Sequence, residues 1–157
     1  MSDAPRNETL KETLRSDLTA AMRRRDVVGT ATLRMALTAI TNEEVAGRTH
    51  RELSDEDVLS VLGKEARKRK EAVTAYTGAG RPELAGREQA ELAVLEGYLP
   101  AQLGDEELET LVAAAVAETG AAGMLQLGLV MKAVQPRVAG RADGGRVAGM
   151  VRRALNG

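Results

Sequence analysis

Cysteine, tryptophan and phenylalanine are absent from this chain, histidine occurs once and tyrosine twice. Without Cys there is no disulfide, no thiolate nucleophile and no cysteine metal site. A thiol-free chain fits a reducing compartment, and a cytoplasmic location is expected. Without Phe or Trp the core has to be built from Leu, Val, Met and Ala, which suits packed helices better than a sheet. The single histidine, His50, lies in a polar loop, where simple solvation accounts for it. No apolar run approaches the length of a membrane span. No apolar stretch follows a basic start, as it would in a secretory signal. Ser2, Ser16, Ser54 and Ser60 stand in no nucleophile-elbow setting. Gly78-Ala79-Gly80 lacks the surroundings of a phosphate loop. With no triad, metal cluster or cofactor motif in view, no metal and no cofactor are expected.

What is present is 43% hydrophobic and 29% charged, and 157 residues allow one domain or two small ones. Residues up to about Asn7 read as a disordered start. Glu8 to Arg25 reads as an amphipathic helix striped by Leu10, Leu14, Leu18 and Ala21, ending in a basic Arg23-Arg24-Arg25. A second helix, about Val28 to Val45, carries Leu33, Ala36, Leu37 and Ile40, and Gly47 stops it. Ser54 is the N-cap of a third, with Asp57 making an imperfect capping box and Leu53 and Val58 spaced as a staple. That helix runs to about Thr77. After a Gly-rich turn, a fourth runs from Pro82 to Leu99, where Pro100 blocks extension. Pro100 to Gly104 is the expected boundary between a bundle over residues 1–99 and a small domain over 100–157.

Asp105 reads as the cap of a fifth helix that Gly120 ends, with Leu108, Leu111, Val112 and Ala115 as its apolar side. Met124, Leu127, Met131 and Val134 stripe a sixth, closed before Pro136. Asp143 reads as the cap of a seventh, with Val147, Met150, Val151 and Leu155 on one face. No segment alternates as a strand does. The fold class is therefore all-α, a four-helix N-terminal part followed by a three-helix domain.

Charge is unevenly spread within a net of −1. From Ala101 to Thr119 there are five acidic residues and no basic ones. From Gly120 onward there are six basic residues (Lys132, Arg137, Arg141, Arg146, Arg152, Arg153) and one acidic, Asp143. A second basic run is Lys64, Arg67, Lys68 and Lys70, off the apolar face of the third helix. On that helix Glu65 and Arg69 share the face of Val58, Leu62, Val73 and Tyr76. On the fourth, Glu88 and Glu91 share the face of Leu84, Leu92, Leu95 and Leu99. Three carboxylates and an arginine thus point toward one seam. A metal or acid–base site is one reading, but an arginine amid the carboxylates disfavours a cation. A structural ion-pair network, Arg69 taking two carboxylates through its planar fork, is the better one.

The order of several motifs resembles the GatB/YqeY family. These are Lys64-Glu65-Ala66-Arg67-Lys68-Arg69-Lys70-Glu71-Ala72, then Tyr76, Gly80-Arg81, Leu84-Ala85, Glu88, Glu91 and Tyr98-Leu99-Pro100. Gly128 through Met131 and Gly140-Arg141-Ala142-Asp143-Gly144 continue the likeness. The resemblance implies an all-helical protein similar to the C-terminal tail of the B subunit of tRNA-dependent amidotransferases. It further implies a link to carbon–nitrogen ligase chemistry with glutamine as amido-N-donor, in an assembly whose chemistry sits in other domains.

From the residues themselves, the C-terminal cations suit a polyanion. Both tyrosines lie near core stripes, so base stacking is not expected, and phosphate and ribose contact is. The leading reading is an accessory tRNA-binding module without its own active site, bound to tRNA or a tRNA–protein complex. A component of an amidotransferase or a synthetase complex is the second, and a protein–protein adaptor docking through the acidic Asp105–Glu118 helix the third.

Overall fold

The computed structural model describes residues 8–156, which form seven α-helices and one 3-10 turn, with no strand among them. The expected disordered start lies outside the described residues. Contacts divide the chain into two units, one ending at Leu99 and the other beginning at Pro100.

In the first unit, α1 spans Leu10–Arg23. Its Thr9 N-cap hydroxyl accepts from the Glu12 N–H, and Glu12 reaches back to the Thr9 N–H, closing a full capping box. The helix stops short of Arg25 because Arg25 adopts a left-handed backbone (φ 56°). The Asp26 N–H then folds back to the Ala21 carbonyl at 2.9 Å, a Schellman-type closure. Asp26 immediately caps α2 (Val27–Glu44) by accepting from the Gly29 N–H at 2.9 Å. A Cβ on residue 29 would lie 2.4 Å from that carboxylate, so a larger residue there would have to displace the capping side chain. The α2 helix ends at Glu44, three residues before the expected Gly47 stop. Its last residue is held by the returning loop, whose Arg51 and Leu53 N–H groups bond the Glu44 carbonyl and carboxylate.

The α3 helix covers Asp55–Gly78, and its Ser54–Asp57 capping box is complete in both directions. The chain turns through Gly80 (φ 69°) into α4, Pro82–Glu96. This helix is shorter than the expected Pro82–Leu99. Pro100 drives the residue before it out of the α region, and Tyr98 and Leu99 N–H groups bond carbonyls three residues back instead. Two helix hairpins, α1 with α2 and α3 with α4, bury Leu14, Leu33, Ile40, Val58, Leu62, Leu92 and Leu95. At about 1.5 Å per residue the 24-residue α3 is ~36 Å long.

In the second unit, α5 spans Asp105–Thr119, and Gly104 rather than Asp105 is the N-cap. Asp105, Glu106 and Glu107 occupy the first turn, where the helix dipole favours negative charge. The 3-10 turn Met124–Gln126 leads into α6, Leu127–Val138. Pro136 is inside α6 rather than beyond it. It lies in the last turn, so its missing N–H forfeits a single bond, to the Lys132 carbonyl, and the helix continues to Val138. The fully buried face is Val130, Val134 and Val138; of the expected stripe, Val134 is in the core, Leu127 and Met131 pack against it, and only Met124 faces outward. The 3-10 turn advances by three residues rather than 3.6, which rotates Met124 out of phase with α6. Finally α7, Gly144–Asn156, follows Asp143, whose carbonyl accepts from the Val147 N–H. Val147, Val151 and Leu155 complete an aliphatic core with Leu103, Leu108, Val112 and Ala115.

Candidate nucleic-acid interface

The six cations of the second unit fall into two groups by what their side chains touch. Arg141 curls onto the C-terminus of its neighbouring helix. Its Nε donates to the Val138 carbonyl at 3.2 Å and Nη2 to the Arg137 carbonyl at 3.0 Å. These are carbonyls of the last turn of α6, which is followed by Ala139 and Gly140, both at positive φ. Arg146 reaches from α7 to the segment before α5, with Nη1 on the Leu103 carbonyl at 2.8 Å and Nη2 on Asp105 at 2.5 Å. The Leu103 N–H in turn donates to the Arg141 carbonyl at 2.7 Å. Arg137 pairs with Glu118 of α5. These three arginines therefore stitch the ends of three helices together.

Lys132, Arg152 and Arg153 are different. All three are exposed, and none makes a hydrogen bond or ion pair with a described residue. Their charges face water.

The basic run on α3 is more neutralised than its sequence indicates. Lys68 bonds Glu65 at 3.2 Å, Arg67 lies 3.4 Å from Glu71, and Lys70 is 3.9 Å from Glu96. Lys64 is exposed and makes no such contact among the described residues. Pairs this exposed are worth little, and phosphates compete with them readily.

Beneath that face lies the seam. Arg69 is 5% exposed and enters it with Nη1 on Glu65 Oε2 at 2.5 Å and on the Glu65 carbonyl at 3.3 Å. Its Nη2 donates to the Met35 sulfur at 3.5 Å. Its Nε faces Glu91 at 3.6 Å, beyond hydrogen-bond range, and has no other partner among the described residues. Glu88 is half-buried and joins no ion pair or hydrogen bond with a described residue, so the network is Glu65–Arg69–Glu91. No group of three or more His, Cys, Asp or Glu among the described residues could hold a metal ion.

A second buried ion pair carried no obvious sequence signal. Lys11 Nζ donates to both Glu44 oxygens at 2.7 and 2.9 Å, and the Leu53 N–H adds 3.3 Å. The Lys11 hydrogen bond holds the Glu44 carboxyl below its ordinary pKa. Likewise Asp26 is lowered, first by the Gly29 N–H and then by Arg24. Tyr98 donates to Asp17 at 2.5 Å, and burial, with that hydrogen bond second, pushes its phenol well up.

Residues 11–155 match the family described as Yqey-like protein. The chain belongs to the YqeY family. It is also similar to the "Altered inheritance of mitochondria protein 41, mitochondrial" of Pyrenophora tritici-repentis (strain Pt-1C-BFP), with 30% identity over 145 residues, covering 90% of this chain and 77% of that protein. No single described helix of this YqeY protein is long and apolar enough to cross a membrane.

Proposed function

We propose that this YqeY protein is an accessory RNA-binding module with tRNA as its ligand class, and that Lys132, Arg152 and Arg153 are its phosphate contacts. One observation carries this reading: these three cations have no acidic partner among the described residues, in a unit whose other three arginines are tied to carbonyls and carboxylates. A cation kept unpaired on a surface is available to a polyanion, because it gives up only water and loses no internal bond on binding. The resemblance to the tail domain of amidotransferase B subunits supports tRNA as the class, and an amidotransferase or synthetase as the larger assembly. Lys64 and its neighbours on α3 are a secondary face.

The test is binding of labelled bulk tRNA across salt concentration by the wild type and a Lys132→Ala/Arg152→Ala/Arg153→Ala variant. Each phosphate contact contributes about 0.9 to the slope of log affinity against log salt. The variant is expected to bind more weakly and to lose about 2–3 from that slope. Equal affinity and slope for the two proteins would remove these residues from the interface, and no binding at low salt would remove RNA.

A further inference from the structure

The second unit exposes apolar side chains as well as cations, and the elements that carry them pack on one another. Leu125 is 104% exposed, Leu129 50% and Met124 40%. Leu129 and Lys132, three residues apart on α6, share a face, and Leu125 projects from the 3-10 turn just before it. That turn is fixed by hydrogen bonds. The Ala122 N–H donates to Gln126 Oε1 at 2.6 Å, and the Gln126 N–H to the Gly123 carbonyl at 3.0 Å. The turn also packs against α7. Because the Arg141 N–H pins the start of the α6–α7 link to Val138, α7 begins near the far end of α6. Its later half, carrying Arg152 and Arg153, therefore runs back toward the turn.

Single surface leucines need no explanation. Met124 and Leu125 on a pinned turn, with Leu129 and three cations on the two helices that pack against it, do. We propose that Met124, Leu125 and Leu129 form a platform for the bases of an unpaired RNA segment whose phosphates lie on Lys132, Arg152 and Arg153. This rests on the RNA reading above and deepens it.

Charge complementarity selects a polyanion. The apolar group then selects among polyanions. In a duplex the base faces are stacked on one another and only edges and phosphates are offered, so the leucines would stay in water. In a single strand or loop the faces are free, and covering them with apolar side chains removes both surfaces from water. Composition argues against stacking, since the second unit contains no aromatic residue. The structure supplies an aliphatic surface in its place.

The experiment uses the full chain, as wild type and as Leu125→Ser/Leu129→Ser, with two labelled probes: a short unstructured RNA of adenosine and cytidine, and a blunt RNA duplex of similar phosphate count. Both leucines are exposed, so thermal unfolding of the variant is expected to match wild type. Wild type is expected to prefer the unstructured probe. The variant is expected to lose about tenfold on it and under about twofold on the duplex. Equal wild-type affinity for both probes, unchanged in the variant, overturns the platform and leaves the RNA reading standing. Binding of neither probe overturns both. Binding to phosphatidylglycerol vesicles that the variant loses, with its RNA affinity unchanged, assigns the leucines to a lipid surface and also overturns the platform.

Discussion

In the first unit Arg69 and Glu44 are 5% and 2% exposed, whereas in the second every buried residue among those described is apolar. Both units are helical and lack Phe and Trp, yet they place charge differently. The N-terminal helices sink ions into their seams and must satisfy them there. A buried guanidinium without its carboxylates, or the reverse, is a large penalty. The C-terminal helices close around Leu, Val and Ala and keep all six cations at the edge. Some of these lie over helix ends and some face water. An arginine's role thus follows from where its partners are, not from its place in a basic run.

Arg69→Ala should do the most damage. It leaves Glu65 and Glu91, each with a side chain 14% exposed, without their cation. A loss of about 3–5 kcal/mol in chemical unfolding is expected. A loss below about 1 kcal/mol would mean that water reaches the seam and that the contrast between units is false. Glu88→Gln, outside the pair, should leave stability within about 0.5 kcal/mol.

Arg146→Ala comes next. It removes bonds to the Leu103 carbonyl and to Asp105, and about 1–2 kcal/mol should be lost. Hydrogen exchange should quicken in α5 to α7 and not in α1 to α4. Faster exchange throughout would show that the two units unfold as one.

Smaller effects appear in pH profiles of unfolding. Glu44 has a lowered folded pKa, so its contribution is present above the ordinary carboxylate value and lost as pH falls through the folded one. Glu44→Gln should flatten the acid arm. Tyr98 is the opposite case. Its raised folded pKa gives stability that is complete below the ordinary phenol value and declines as pH rises toward the folded one. Tyr98→Phe should flatten the alkaline arm. Unchanged arms would show that these groups are solvated in the folded state.

Much of the helical frame was legible because caps and breakers act locally. Ser54 with Asp57, Pro82 at a first turn and Pro100 past a last one each declare themselves within a few residues. The seam was legible too, since Arg69 and Glu65 are one helical turn apart. Three things were not. The outward placement of Met124 depends on a 3-10 turn that periodicity at 3.6 does not register. Pro136 is tolerated because only one late hydrogen bond is at stake. Above all, long side chains find partners that sequence spacing does not announce. Arg146 reaches Leu103 across 43 positions, and Lys11 reaches Glu44 across 33. A basic tail of six therefore read as one surface, when three of its members are internal ties. Conversely, nothing in the sequence pattern singles out Leu125, and its exposure emerges only from the turn that carries it.

The most direct test of this division is a pair of triple variants measured side by side for thermal unfolding and for tRNA binding below both melting temperatures. Lys132/Arg152/Arg153→Ala should keep its melting temperature and lose binding. Arg137/Arg141/Arg146→Ala should melt earlier and, while folded, bind about as well as wild type. If the second variant instead keeps its melting temperature and loses binding, the tied arginines are the interface, and the account of the C-terminal unit is wrong.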